Sequence, residues 1–92
     1  MIKSFKHKGL KQFWETGTTK GIQTKHANKL KAMLVVLNNA ESIEEITCFR
    51  AFKAHQIHQD SKPWSLTVNG NWRLTFIFKS GHVYVLNYED YH

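Results

Sequence analysis

Two stretches of alternating apolar and polar residues constrain the fold of this chain more than any other feature. In the first, Trp64, Leu66 and Val68 alternate with polar residues, and in the second, apolar side chains recur at every other position from Trp72 to Phe78. A period of two sends successive side chains to opposite faces of a β-strand. The pattern therefore predicts antiparallel strands that bury one face and leave the other open.

The register of the first hairpin follows from keeping its apolar face intact. Residues 69–71 read Asn-Gly-Asn, a turn sequence. A two-residue turn would set Leu66 opposite Arg73 and mix the two faces, so a three-residue loop over 69–71 is preferred. Arg73 then lies at the centre of the polar face. The predicted pairs are Trp64 with Phe76, Leu66 with Leu74, Val68 with Trp72, and Thr67 with Arg73.

A second turn at Ser80-Gly81 leads into the last strand, which runs into the end of the sequence. A two-residue turn there pairs Arg73 with Tyr88. The same register puts Asp90 and His92 on the Arg73 side of the sheet. We therefore expect the strand to hold the final residues in place and His92 to approach Arg73 across a bound phosphate.

The first half of the chain has helical spacing instead. Leu10, Phe13 and Trp14 fit one face of a helix that ends at Gly17, and residues 24–38 carry a longer apolar stripe. A weak strand is possible over residues 1–5. The expected fold class is α+β, with N-terminal helices packed on one face of an antiparallel sheet, in a single domain over residues 1–92.

Charge and composition indicate the kind of partner and the compartment. The net charge is +6, and residues 1–40 hold eight lysines and one acid, Glu15. This asymmetry favours phosphate-bearing partners, although a solvated lysine surface is the alternative. The only cysteine, Cys48, is expected to be a small buried hydrophobe in a reducing compartment. Without a leader or spanning run, a cytoplasmic protein with no membrane partner is expected.

The polar face collects groups that could cleave RNA. Cleavage by transesterification needs a base for the 2′-hydroxyl, a fixed cation for the phosphorane and an acid for the leaving oxygen. Since the nucleophile belongs to the substrate, neither a metal nor a cofactor is required. Imidazole, guanidinium and phenol groups can fill these roles, and the candidates are Arg73, Tyr88, Asp90, Tyr91 and His92, with His55 and His58 from an irregular segment.

Each candidate also has an ordinary structural explanation. Arg73 could form a salt bridge with Glu89 or Asp90, and the tyrosines could simply pack. His55 and His58 could be surface residues or, with other histidines, zinc ligands. The zinc alternative is weak because no second cysteine or paired carboxylate accompanies them.

The chain resembles HigB toxins of the RelE/ParE superfamily, which belong to bacterial toxin–antitoxin systems. The resemblance covers nearly the whole chain, and V-N-x-x-W-R followed by a terminal D-Y-H is specific at this spacing. The matching segments are Met1-Ile2-Lys3-Ser4-Phe5 with Gly17, the stretches 64–69 and 71–76, and the closing Asp90-Tyr91-His92.

The resemblance implies a small microbial-RNase-like fold and an mRNA interferase that cuts mRNA in the ribosomal A site (on the 30S subunit) during translation. It also implies neutralisation by a HigA antitoxin, which would contact operator DNA for the pair. The family's catalytic arginine falls on Arg73, its terminal tyrosine and histidine on Tyr91 and His92, and its upstream histidine on His55. A histidine, His58, occupies the family's usual lysine position.

That departure puts the cation at this position in question, because histidine is only partly charged at neutral pH. Lys53 or Lys62 could substitute for it. Two other functions remain open: a ParE-like or inactive binding module without chemistry, and an RNase that needs no ribosome.

Overall fold

A computed structural model describes residues 1–57 and 63–90. Four strands form one antiparallel sheet in the order β1-β2-β3-β4, and helices pack on one side of it, which confirms the predicted α+β class. The elements are α1 (Lys8–Thr16), α2 (Ala27–Asn39), α3 (Glu44–Thr47), β1 (His55–Gln56), β2 (Pro63–Asn69), β3 (Trp72–Lys79) and β4 (His82–Asp90), with short 3-10 turns at Thr24–His26 and Arg50–Phe52.

Helix α1 has a defined cap at each end. The Nδ1 atom of His7 accepts a hydrogen bond from the backbone N–H of Leu10 at 2.9 Å, which satisfies one of the free donors at the helix start. Gly17 ends the helix with φ +83°, and its N–H donates to the carbonyl of Phe13 at 2.9 Å. The predicted glycine stop at position 17 is confirmed.

A close backbone contact fixes the segment that precedes α2. A Cβ atom built on Gly21 would lie 2.4 Å from the Cα of Gly9, so neither position has room for a side chain. This contact holds the loop before α2 against the start of α1. It thereby positions His26, the last residue of the adjoining 3-10 turn, under the sheet.

The hydrophobic core lies between the helices and one face of the sheet. The strands β2 and β3 contribute alternate residues, as the period of two predicted, whereas the buried residues of β4 are spaced by three and then by two. The helices contribute the stripes predicted for α1 and α2. The fully or almost fully buried core residues include Leu10, Leu30, Met33, Leu34 and Leu37 from the helices, and Leu66, Val68, Leu74, Phe76, Val83 and Leu86 from the sheet.

The first hairpin differs from its prediction at the turn. Leu66 pairs with Leu74 and Thr67 with Arg73, as expected, but Asn69 rather than Val68 pairs with Trp72. The three-residue loop was therefore wrong. A β-bulge absorbs the extra residue, because only in this way can Val68 stay fully buried while two residues close the turn.

The second hairpin contains another bulge, which shifts the predicted register by one residue in the second half of the last strand. Thr75 pairs with Asn87 and Ile77 with Tyr84, so the last strand carries one extra residue in between. Val85 lies in this bulge with φ +54°. The predicted pairing of Arg73 with Tyr88 was therefore wrong, because a shift of one residue exchanges the faces of all that follows.

The N-terminal segment covers part of the outer edge of β4. Isolated parallel bridges join Ile2 to Val83 and Phe5 to Leu86, so the segment pairs with β4 at two points but does not form the short strand expected at the start of the chain. The prediction for Cys48 was wrong: its side chain is exposed at the end of α3, a one-turn helix that is too short to cover it. Among the described residues, none of the helices has the length and hydropathy of a membrane span.

Candidate active site on the open face of the sheet

Two rows of side chains cross the face of the sheet that the helices leave uncovered. In the first, Thr67, Arg73 and Glu89 lie opposite one another on β2, β3 and β4. Residues paired directly across antiparallel strands share a face, so these three project together. The neighbouring row holds His55, Ser65, Thr75 and Asn87.

A small pocket brings two of the predicted site residues together. His55 and Arg73 line a depression of about 180 Å³ with Ser65 and Ile57. His55 comes from the edge strand and Arg73 from the centre of the sheet, so the antiparallel pairing of β1, β2 and β3 creates the pocket. An imidazole and a guanidinium therefore face the same space.

The Arg73 guanidinium is oriented by the backbone of the first hairpin. Its Nη1 donates to the carbonyl of Trp72 at 3.1 Å and also to the carbonyl of Gly70. Within residues 1–57 and 63–90, Arg73 makes no ion pair with Glu89, its direct cross-strand neighbour. Because carbonyl partners leave its positive charge uncompensated, the guanidinium can still bind an anion through its other N–H groups.

The hydrogen bond of His55 indicates the tautomer of its ring. The exposed imidazole places Nδ1 3.2 Å from the carbonyl oxygen of Lys53. A carbonyl can only accept, so Nδ1 carries the proton and, in the neutral ring, Nε2 keeps its lone pair. Lys53 holds a left-handed backbone conformation with φ +48°, which turns its carbonyl towards the ring.

A second pocket of about 200 Å³ adjoins the first and shares Ile57 with it. The carboxylate of Glu89 accepts a hydrogen bond from Nδ2 of Asn87 at 3.3 Å on its wall. Its remaining lining comes from the N-terminal segment, β2, β3 and the bulge of β4, namely Lys6, Pro63, Thr75, Phe76, Ile77 and Val85.

Tyr88 lies on the core face, opposite to its expected position beside Arg73. The side chain is only 3% exposed and stacks on Trp72 with ring centroids 4.6 Å apart. Its hydroxyl lies 2.6 Å from Nδ1 of His26 and accepts the N–H of Gln23 at 3.4 Å. An RNA contact by Tyr88 is therefore not available from this position, and the residue links β4 to the helical layer.

This buried pair has perturbed proton affinities. Burial lowers the pKa of His26 from its ordinary value of 6.5, and the positive charges of Lys25 and Lys29 lower the same pKa further. Burial raises the pKa of the Tyr88 phenol, against the opposing effect of the Gln23 N–H. Both groups are therefore neutral near pH 7, as expected for a buried hydrogen-bonded pair.

Asp90 is also displaced from its predicted side. It pairs with Trp72, whereas Arg73 pairs with Glu89, so Asp90 and Arg73 project to opposite faces where β4 ends. The side chain of Asp90 is exposed. The error has the same origin as that for Tyr88, the bulge at Val85 that no two-residue alternation predicts.

Three predicted site residues, His58, Tyr91 and His92, lie outside the described residues, as does Lys62. Within the described part of the chain, no three His, Cys, Asp or Glu side chains gather as metal ligands would. The open face also contains residues that sequence reasoning did not select, namely Ser65, Asn87 and Glu89. The polar positions of the alternating strands were the available signal for Ser65, but the bulge concealed the other two.

Helices packed on one face of a four-stranded antiparallel sheet form a fold consistent with that of a RelE-like toxin. A family model for RelE-like HigB toxins of type II toxin–antitoxin systems matches residues 3–92. The chain is 44% identical, over 93 residues, to "Endoribonuclease HigB" of Proteus vulgaris, and the match covers 100% of both chains. The chain therefore belongs to the family of RelE-like HigB toxins.

Proposed function

We propose that this chain, as one toxin domain over residues 1–92, is a ribosome-dependent endoribonuclease that cuts mRNA and stops translation. The observation that carries the proposal is the joint exposure of His55 and Arg73 in one pocket on the open sheet face. The name of the Proteus vulgaris relative, an endoribonuclease, supports the same reaction class. The excess of positive charge supports a polyanionic substrate.

In the proposed reaction, the 2′-oxygen of the substrate attacks the adjacent phosphorus and loses its proton to a base. A bond forms between the 2′-oxygen and phosphorus, and the bond to the 5′-oxygen breaks when an acid protonates that oxygen. The products are a 2′,3′-cyclic phosphate and a free 5′-hydroxyl. Because the substrate supplies the nucleophile, the reaction needs no metal or cofactor.

The described residues can supply two of the required functions. His55 has an unprotonated Nε2 in its neutral form, so it can accept or return a proton. Arg73 can donate to the phosphorane oxygens and stabilise their developing charge. Following the family pattern, His92 is the partner of His55 in proton transfer, Tyr91 orients the phosphate or the base, and Lys53 and His58 have supporting roles.

The proposed partners follow from charge and family. The lysines of residues 3–31 would bind ribosomal RNA beside the A site, and a HigA-type antitoxin would neutralise the toxin and contact operator DNA in its place. Translation occurs in the cytoplasm, which is therefore the proposed location.

A translation assay tests the proposal directly. Purified parent protein and Arg73→Ala would be added to ribosomes translating a defined mRNA, and the new 5′ ends would be mapped. We expect cuts with 5′-hydroxyl ends from the parent only when ribosomes are present, and about 10²–10³-fold fewer from Arg73→Ala. Cleavage of naked mRNA would indicate a free RNase, and inhibition without cuts would indicate a binding module.

A further inference from the structure

The second pocket, which adjoins the His55–Arg73 pocket, contains the carboxylate of Glu89. A negative charge at this place is unexpected, because the proposed substrate is a polyanion. Glu89 lies directly opposite Arg73 across adjacent strands, which are about 4.8 Å apart. This inference rests on the proposed function, since it concerns the RNA that would occupy the site. A carboxylate one strand away from a phosphate repels it. Its presence there calls for a ligand group with hydrogen-bond donors.

The hydrogen bonds of the pocket present acceptors to the open face. Asn87 donates its Nδ2 to Glu89, which turns the amide so that its Oδ1 is left as an acceptor. An ionised carboxylate has only acceptors, and it has more lone pairs than one amide can fill. Asn87 and Glu89 together therefore favour a ligand edge that carries N–H groups.

The rest of the pocket suits a flat, partly apolar ring. Ile57, Pro63 and Ile77 line it, and their side chains offer an apolar surface against which a ring can pack. Lys6 lies at the same pocket, where its ammonium group can approach a neighbouring phosphate. Ile57 also lines the His55–Arg73 pocket, so the two sites are contiguous.

We propose that this second pocket binds the nucleobase next to the scissile phosphate, and that Glu89 selects a base with an exocyclic amino group. Adenine, cytosine and guanine can each donate such an N–H to the carboxylate. Uracil presents carbonyl oxygens on either side of its single N–H, and these would face Glu89 and Oδ1 of Asn87 as unfavourable acceptor–acceptor contacts. Cleavage should therefore be disfavoured next to uracil.

The experiment compares the parent protein with Glu89→Gln and a matched control, Glu44→Gln. Glu44 is an exposed carboxylate in α3, so its substitution removes the same charge outside the pocket. Ribosomes would translate mRNAs that differ only in the base flanking the cut, and cleavage would be counted from mapped 5′ ends. We expect the parent and Glu44→Gln to cut amino-bearing sites about tenfold more than uracil sites. A glutamine can donate as well as accept, so Glu89→Gln should reduce this ratio severalfold.

The outcomes separate the two proposals. If the parent makes no cuts, the proposed function is wrong and the base pocket falls with it. If the parent cuts but Glu89→Gln keeps the parental ratio, the base pocket alone is wrong. Should Glu89→Gln fail to fold, binding of the parent to 2′-O-methyl RNA oligonucleotides that vary in one base gives a second measurement. Equal affinity for the uracil oligonucleotide would also overturn the proposal.

Discussion

The two faces of the sheet carry different properties of this protein, although the same strands form both. On the core face, Leu74 and Tyr88 are buried against the helices. On the open face, Arg73 and Glu89, which are the sequence neighbours of Leu74 and Tyr88, line the two contiguous pockets, and His55 shares one of them with Arg73. Residues that stabilise the core and residues of the proposed active site thus alternate along each strand, because a strand turns successive side chains to opposite sides.

The bulge at Val85 determines which residues of the last strand belong to which face. Without it, simple alternation would bring Tyr88 beside Arg73 and leave Glu89 in the core. With the bulge, the phenol of Tyr88 is buried and the carboxylate of Glu89 lies on the open face. The difference between the faces therefore depends on one extra residue in β4.

The largest expected loss of stability comes from the core face. Leu74 is fully buried, so Leu74→Ala should lower the free energy of unfolding by about 2–5 kcal/mol, through lost apolar contact and a residual cavity. Urea unfolding measures the change. Thr75→Ala, the next residue on the open face, is the control and should change stability by less than about 1 kcal/mol. Equal losses from the two variants would contradict the division between the faces.

The hydrogen bond between Tyr88 and His26 should contribute a smaller amount. Tyr88→Phe keeps the ring but leaves Nδ1 of His26 buried without its partner, which should cost about 1–3 kcal/mol. Thermal unfolding compares it with Tyr84→Phe, whose ring is only partly buried. If Tyr88→Phe is no less stable than Tyr84→Phe, the buried hydrogen bond does not stabilise the fold.

Stability should also depend on pH through His26. Burial lowers its pKa in the folded state, while in the unfolded state the pKa returns to about 6.5, so the unfolded chain binds more protons. The free energy of unfolding should therefore be highest above pH 6.5 and fall as the pH drops towards the folded-state pKa. Burial lowers the pKa values of His7 and His82 too, and both add a change of the same sign.

Urea titrations between about pH 7.5 and about pH 5.5 check this dependence. His26→Gln should show a shallower fall in stability than the parent, because His7 and His82 remain. A slope as steep as that of the parent would mean that His26 does not account for the effect.

The smallest effect is expected at the bulge itself. Val85 is a β-branched residue with φ +54° and is 46% exposed. Asparagine tolerates this conformation better, so Val85→Asn should raise stability by about 1 kcal/mol. Val35→Asn changes another exposed valine, in α2, and should not stabilise. If both variants lower the melting temperature equally, the claim that the backbone is strained at Val85 is wrong.

The sequence predicted the parts of this fold that depend on periodicity. The helix that ends at Gly17, the α+β class and the central pair of Leu66 with Leu74 all follow from apolar spacing and turn residues. The faces of Tyr88 and Asp90 did not, because a bulge inserts a residue without changing the apolar pattern enough to reveal it.

The residues of the candidate site were likewise predictable only where simple alternation along the strands holds. Arg73 lies where alternation placed it, since β3 has no bulge before it, and His55 joins it through the short edge strand. Asn87 and Glu89 were not predicted as site residues, because the bulge at Val85 determines which face of the sheet they occupy. His26 gave no signal, since a histidine near two lysines resembles a surface residue, and its burial depends on contacts with Tyr88 and Trp72 that are distant in sequence.

Paired measurements on the adjacent residues Arg73 and Leu74 test the division between the faces most directly. Cleavage of translating mRNA and urea unfolding would both be measured for Arg73→Ala and Leu74→Ala. We predict that Arg73→Ala loses cleavage about 10²–10³-fold with nearly parental stability. Leu74→Ala should lose stability but retain most of its cleavage under conditions in which it is folded. If Arg73→Ala unfolds as readily as Leu74→Ala, or keeps parental cleavage, the open face does not carry the chemistry.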